Sequence, residues 1–394
     1  MTRREFIYLD YNATTPCDPR VLEVMLPHFT EHFANPSSST HPAGRRAADA
    51  LEEAREQVAG LFGASARDVI FTSGATESNN LALYGVARAA LREGDRRQRI
   101  VTLPTEHKAV LEPVADLAVL GFDVQYAPVH RDGQVDLAAL VELVDTNTLL
   151  VSIQAANSEV GTLQPLAEIG ALTRAVGAYF HTDATQAVGR VALDWRSLPA
   201  DLLSLSSHKI YGPKGAGALL ARRALRQGKL DPLTRGGGQE GKLRAGTQNV
   251  PALVGFGLAC ELMAGEGLAE AERQRGLRDE FERRLSEALP QVSFNGRGAE
   301  RLPNTSSVTV PGVEADALLM HLPNLGLSLG SACNSGALEP SYVLTELGLS
   351  GEIASSTFRM SLGKNTSRED VQRAVTDIAQ GFETLHLAEA GSPL

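Results

Sequence analysis

The chain has 394 residues, 43% of them hydrophobic and 21% charged, with a formal net charge of −10. That is ample for a large buried core without disulfide or metal staples, and it excludes a disordered or fibrous chain. The acidic balance excludes a global electrostatic affinity for nucleic acid, and the three cysteines, Cys17, Cys260 and Cys333, lie too far apart for a disulfide framework or a zinc knuckle.

Residues Met1 to Asp10 include basic side chains but no apolar core of a signal peptide. No uninterrupted apolar run reaches the ~18 residues of a membrane span. The expectation is a soluble, cytoplasmic chain with no membrane contact and no direct nucleic-acid contact.

Arg45 to Phe62 reads as a helix, because Ala47, Leu51, Ala54, Val58 and Leu61 fall on one face and Gly63 stops it. Short apolar runs follow at Val69–Phe71, Ile100–Leu103, Val124–Tyr126, Leu149–Ile153, Tyr179–His181, Leu202–Leu205 and Ala218–Leu220. Most are separated by helix-length segments. That alternation predicts an α/β fold: a mainly parallel sheet with helices on both faces.

Beyond residue 260 the character changes. A charged helix is expected over Glu261–Leu289, then a strand at Ser307–Val310, a helix at Glu314–Leu322 and a Gly/Ser-rich loop at Ser328–Gly336. A strand at Phe358–Ser361 and a helix from Arg368 to about Leu387 complete it, with Thr366 or Ser367 as the N-cap. These segments predict a smaller α+β domain. The expected division is a large domain over 16–260 and a small domain made of 1–15 and 261–394, the latter carrying the cysteine loop at about 328–340.

In an open α/β sheet, ligands bind beyond the carboxyl ends of the strands. After Val69–Phe71 come Thr72, Ser73, Gly74, Ala75 and Thr76, then a helix. Small and hydroxyl residues there suit either a phosphate or a simple N-cap. After Ile100–Leu103 comes His107, either a proton-exchanging group that stacks on a ligand or a loop histidine with a backbone partner. After Tyr179–His181 comes Asp183, either a turn residue or the partner of a heterocyclic nitrogen. After Leu202–Leu205 come Ser206, Ser207, His208 and Lys209, then a glycine-rich turn. A nucleophilic lysine must be held near a desolvated pocket; in a lysine-poor chain a surface role for Lys209 is less compelling than usual, and Lys214, in a Pro-Lys-Gly turn, is the rival candidate. A phosphate cradle, a ring-facing histidine, an aspartate for a pyridine nitrogen and a lysine amine together make the set of groups a pyridoxal phosphate site requires.

Cys333 sits mid-loop among small residues, unlike Cys260, which lies in an apolar run. An exposed loop thiol is either an accident or a nucleophile. Arg359 is a lone charge in an apolar strand and needs an anion, either a substrate carboxylate or an internal ion pair.

The chain resembles the cysteine desulfurases of the NifS/IscS type, pyridoxal phosphate enzymes of aminotransferase class V with the fold-type I architecture. The resemblance runs through Tyr8–Pro16, Asn35–Ser38, Ser73–Ser78, Thr105–Lys108, Thr182–Gln186, Ser207–Gly215 and Ser331–Gly336, and covers nearly the whole chain. The last segment, followed by Leu338–Leu344, is similar to the long cysteine loop of this subgroup.

The resemblance implies that Lys209 bonds the cofactor covalently, His107 stacks on its ring, Asp183 pairs with the ring nitrogen and Gln186 meets the ring hydroxyl. It implies phosphate binding by Ala75, Thr76, Ser206 and His208, and by Thr247 across a homodimer interface. Asn157 would contact cofactor and substrate, with Asn35 and Arg359 clamping the substrate carboxylate. Cys333 would take sulfur from L-cysteine, leaving L-alanine, and pass it to an acceptor protein in iron–sulfur cluster assembly, tRNA thiolation or DNA phosphorothioation. The alternatives are a selenocysteine lyase or other class V enzyme, and a non-catalytic scaffold that binds a sulfur acceptor. Two departures stand out: Ser158 follows Asn157 where relatives often carry a second Asn, and Lys242 occupies a usual glycine position.

Overall fold

The computed structural model describes residues 6–329 and 340–390. The chain enters through β1 (Ile7–Tyr8). The large sheet is built from β2 (Val69–Thr72), β3 (Arg99–Thr102), β4 (Asp123–Tyr126), β5 (Thr148–Ser152), β6 (Tyr179–Asp183), β7 (Leu202–Ser206) and β8 (Gly217–Ala221). Their order in the sheet is β2-β8-β7-β6-β5-β3-β4.

Within β3 to β7 every strand pairs parallel to its neighbour. β8 runs antiparallel to both β7 and β2. The reason is length. Residues 207–216 turn through a short 3-10 segment, Ser207–Lys209, and cannot hold the crossover a parallel partner needs.

Successive strand residues serve opposite faces, and both faces are apolar. Val69 and Phe71 join one buried cluster while Ile70 joins another; Val101 and Ile100, and Leu203 and Leu202, divide the same way. Helices Pro42–Leu61 and Val250–Ala288 cover the first face, and Ala75–Glu93 and Lys108–Val119 the second.

Two helix starts depart most from the sequence-based expectation. The helix expected from Arg45 begins at Pro42, because His41 Nδ1 accepts from Gly44 N at 3.0 Å and proline suits the first turn. The charged helix expected from Glu261 begins at Val250 and continues unbroken to Ala288, across the expected domain boundary. Some of its glycines permit close approaches. A Cβ on Gly257 would lie 2.7 Å from Ala54 Cα, and one on Gly267 would lie 2.7 Å from the Gly189 carbonyl oxygen. By length and composition alone this helix could also cross a membrane, a test that a buried core helix passes as well. Its apolar part includes Phe256 and Cys260, both fully buried in the sheet core.

A second group of strands comprises β9 (Ser293–Asn295), β10 (Thr305–Thr309), β11 (Leu325–Gly326) and β12 (Thr357–Ser361). β10 pairs antiparallel with both β9 and β12, and β11 pairs parallel with β1. Ile7 and Leu9 pack with Phe281, Phe358 and Ile378 in a separate apolar cluster. The last helix, Arg368–Ala390, is capped by Ser367: its Oγ accepts from Asp370 N at 3.0 Å, and Asp370 Oδ2 accepts from Ser367 N at 2.9 Å.

Candidate active site

The carboxyl ends of β2, β6 and β7 open on one cavity of about 510 Å³. At the end of β2, Gly74 leads into helix Ala75–Glu93 with no side-chain cap. The first-turn N–H groups therefore keep hydrogen-bonding capacity for an anion, reinforced by the helix dipole. The approach is tight: a Cβ on Gly217 of β8 would lie 2.6 Å from Gly74 Cα. Ser206 Oγ stands 3.7 Å from where a Gly74 Cβ would be.

At the end of β6, Asp183 is buried and its carboxylate is oriented from two sides. Asn79 Nδ2 donates to Oδ2 at 2.7 Å, and Thr185 N donates to Oδ1 at 2.9 Å. His181 shares its face of the strand. Its ring lies between Ser152 Oγ at 2.8 Å and Ser204 Oγ at 2.9 Å, and burial pushes its pKa down to about 4, so it is neutral near pH 7.

Beyond β7, Lys209 Nζ donates to the carbonyls of Asn12 and Ala13, the latter at 2.8 Å. His208 lies beside Thr14 Oγ1 at 3.1 Å; burial and then the neighbouring Lys209 and Lys214 push its pKa down to about 4. Tyr211 follows in the left-handed region (φ 66°), a costly conformation for a bulky side chain. Thr15 Oγ1 holds it by accepting from Tyr211 N at 2.8 Å.

His107 caps helix Lys108–Val119: its Nδ1 accepts from Ala109 N at 3.0 Å. An accepting Nδ1 puts the proton of the neutral ring on Nε2. Glu106, next to it, is completely buried. Oε1 accepts from Gln154 N at 2.7 Å and Oε2 has no partner. Burial raises its pKa well above the usual range, with Asp183 adding to the effect.

Of the residues singled out in the sequence, Ala75, Thr76, His107, Asp183, Gln186, Ser206, His208 and Lys209 line this cavity together. Other expected residues lie elsewhere. Asn157 braces its own loop: Oδ1 accepts from Glu159 N and Val160 N, and Nδ2 donates to Thr105 O at 3.1 Å. Arg359 forms the internal ion pair, with Nη2 2.6 Å from Asp10 Oδ1 and Nη1 donating to Ser158 O at 3.0 Å. Asn35 is exposed and caps its own turn by accepting from Ser37 N at 2.9 Å. Thr247 is exposed and does not line the cavity. Cys333 lies outside the described residues.

Sequence reasoning missed Asn79, Thr185, Gln154 and Glu77. Asn79 lies one helical turn beyond Ala75, at the i+4 position, a spacing that signals the same face. Thr185 Oγ1 is buried without a partner while lining the cavity. Glu77 accepts from Ser73 N at 2.7 Å and pairs with Arg244 at 2.8 Å.

These features fit pyridoxal phosphate. An uncapped helix N-terminus meets the phosphate, an oriented carboxylate meets the ring nitrogen, an amine stands in the same cavity and a buried hydroxyl awaits a partner.

The sequence pattern of the aminotransferase class-V family matches residues 7–374. A cysteine desulfurase IscS of Anaeromyxobacter sp. (strain Fw109-5) is 47% identical over 379 residues, spanning 96% of this chain and 93% of the relative. A solved NifS-like protein superposes with TM-score 0.88 at 36% identity, covering 96% of this chain and all of the other (100%). The structure of SspA in complex with cysteine superposes with TM-score 0.79 at 39% identity, covering 90% and 98%. The chain belongs to the aminotransferase class-V family of fold-type I enzymes. Within that family it is a cysteine desulfurase dependent on pyridoxal phosphate; the comparisons do not favour the scaffold or other class V alternatives.

Proposed function

We propose that this desulfurase takes sulfur from L-cysteine as a persulfide on Cys333, releases L-alanine and passes the sulfur to an acceptor protein. The observation that supports it most is the convergence of Lys209, Asp183, His107 and the uncapped Ala75–Glu93 helix on one cavity.

Pyridoxal phosphate, when bound, supplies an electron sink for the carbanion character that carbon–sulfur cleavage requires. Lys209 would hold it through Nζ and afterwards move a proton at the substrate's α-carbon. Ala75, Thr76, Ser206 and His208 would hold its phosphate, Asp183 the protonated ring nitrogen and Gln186 the ring oxygen. His107, protonated on Nε2 when neutral, would stack on the ring and exchange that proton with the substrate. The Cys333 thiolate would bond to the substrate sulfur as the carbon–sulfur bond breaks, and a proton added at that carbon completes alanine. Arg359 keeps a buried Nε–H with no partner, which suits a substrate carboxylate; Asn35 and Asn157 complete that reading.

The exposed Thr247 suits a homodimer in which it reaches the partner's phosphate site. The long helix Val250–Ala288 would join the large domain (16–260) to the small one (1–15 and 261–394). A reducing cytoplasm would keep Cys333 available as a thiolate. The acceptor serves iron–sulfur cluster assembly, tRNA thiolation or DNA phosphorothioation.

The test is Cys333→Ala in the purified holoenzyme. We expect the cofactor's visible absorbance to survive while alanine and sulfide release are lost. Full turnover in that variant overturns the persulfide reading.

A further inference from the structure

Arg190 is buried, and burial lowers its pKa to about 10. Among the described residues no carboxylate pairs with it. Its guanidinium is spent on two residues of the cavity instead. Nη1 donates to Gln186 O at 2.8 Å and to Gln186 Oε1 at 2.9 Å, and Nη2 reaches Lys209 O at 3.5 Å. A buried cation without an acid is costly to keep, and these hydrogen bonds to oxygen acceptors are what offsets the cost.

The consequence for Gln186 is geometric. A guanidinium only donates, so the atom facing it must be the amide oxygen. Gln186 Nε2 donates to Asn12 O at 3.0 Å, and a carbonyl only accepts, so the atom facing it must be the amide nitrogen. Two one-way partners forbid the amide flip. The Asn12 carbonyl also accepts from Lys209 Nζ, so one hydrogen-bond chain runs from Arg190 through Gln186 and Asn12 to the Lys209 amine. Gln186 lines the cavity with one Nε2 hydrogen left to give.

We propose that Arg190 is a positioning residue that locks Gln186 as a hydrogen-bond donor toward the ring oxygen of bound pyridoxal phosphate and so favours that oxygen's ionised form. The proposal rests on the reading that Gln186 faces the ring oxygen. Tyr211, on the turn after Lys209, and Arg359, on β12, are the charged or titratable groups that act on Arg190. His208 and Lys214 flank Lys209, and Asp183 lies at the end of β6.

The test compares wild type, Arg190→Met and Arg190→Lys as holoenzymes, reading the pH midpoint of the cofactor's visible absorbance beside cofactor content and Tm. Without the guanidinium, the proton released in that titration is held more tightly. The midpoint in R190M is expected to rise by about one unit, and R190K to return it toward wild type. A purely structural role lowers Tm and cofactor content and leaves the midpoint in place; that result overturns the proposal. Should R190M fail to fold, Gln186→Leu removes the donor itself. An unmoved midpoint in that variant overturns the proposal, and R190K with a midpoint displaced upward from wild type supports it. A colourless wild type after addition of pyridoxal phosphate overturns the site reading beneath the proposal. A coloured wild type with an unmoved R190M midpoint overturns the proposal alone.

Discussion

Asn79 Nδ2 donates to Asp183 Oδ2 across 2.7 Å, tying the helix that offers its N-terminus to an anion to the strand end that offers a carboxylate. Both groups are buried, so neither is free to trade this bond for water. The amide also sets which carboxylate edge faces the cavity.

Asn79→Ala is expected to leave the fold intact and weaken cofactor binding by about 10- to 100-fold, the worth of one buried hydrogen bond to a charged group. Titrating the apoenzyme with pyridoxal phosphate and following visible absorbance measures it. An unchanged Kd would show that Thr185 N alone orients Asp183.

Glu106 gives a pH dependence whose sign follows from its environment. Burial, with Asp183 adding, holds its pKa in the folded state well above the unfolded value. The folded chain therefore keeps a proton that the unfolded chain has already lost. The contribution is fully present below the unfolded carboxyl pKa and declines as pH rises toward the folded one. Glu106→Gln keeps an acceptor for Gln154 N and carries no such proton. Its Tm should match or exceed wild type at neutral pH, and the gap should widen with alkaline pH. Denaturation curves across pH 5 to about 9 test this window; a variant less stable than wild type throughout would sink it.

Lys242 has φ 69°, a left-handed conformation that costs a side-chain-bearing residue about 1 kcal/mol. Lys242→Gly relieves that strain, partly offset by the greater freedom of glycine in the unfolded chain. The expected outcome is a small rise in Tm with desulfurase turnover retained. A fall in Tm would mean that the lysine side chain makes a compensating contact.

The neighbouring Glu240 shows why the segment tolerates the strain. Its carboxylate accepts from Arg55 at 2.7 and 2.9 Å and from Phe71 N at 3.0 Å, all in buried surroundings. Arg55 lies on the first long helix and Phe71 on β2, so one side chain pins three distant pieces of chain. Neither partner is suggested by sequence spacing, which is why the unusual backbone at 240–242 stood out in the sequence only as a displaced glycine.

Local pattern and chemistry were enough for the sheet's strands, the order of the strand-end motifs and the chemical kinds of group that meet in the cavity. Strand periodicity and βα turns are local properties, and Lys209, Asp183, His107 and the Ser73–Thr76 turn each follow a strand at short range. The direction of β8, the unbroken course of Val250–Ala288, the pairing of Arg359 with Asp10 and the Arg190–Gln186–Asn12–Lys209 chain were decided only in three dimensions. Each depends on groups far apart in the chain, and burial makes every polar atom among them find a partner that no local spacing specifies.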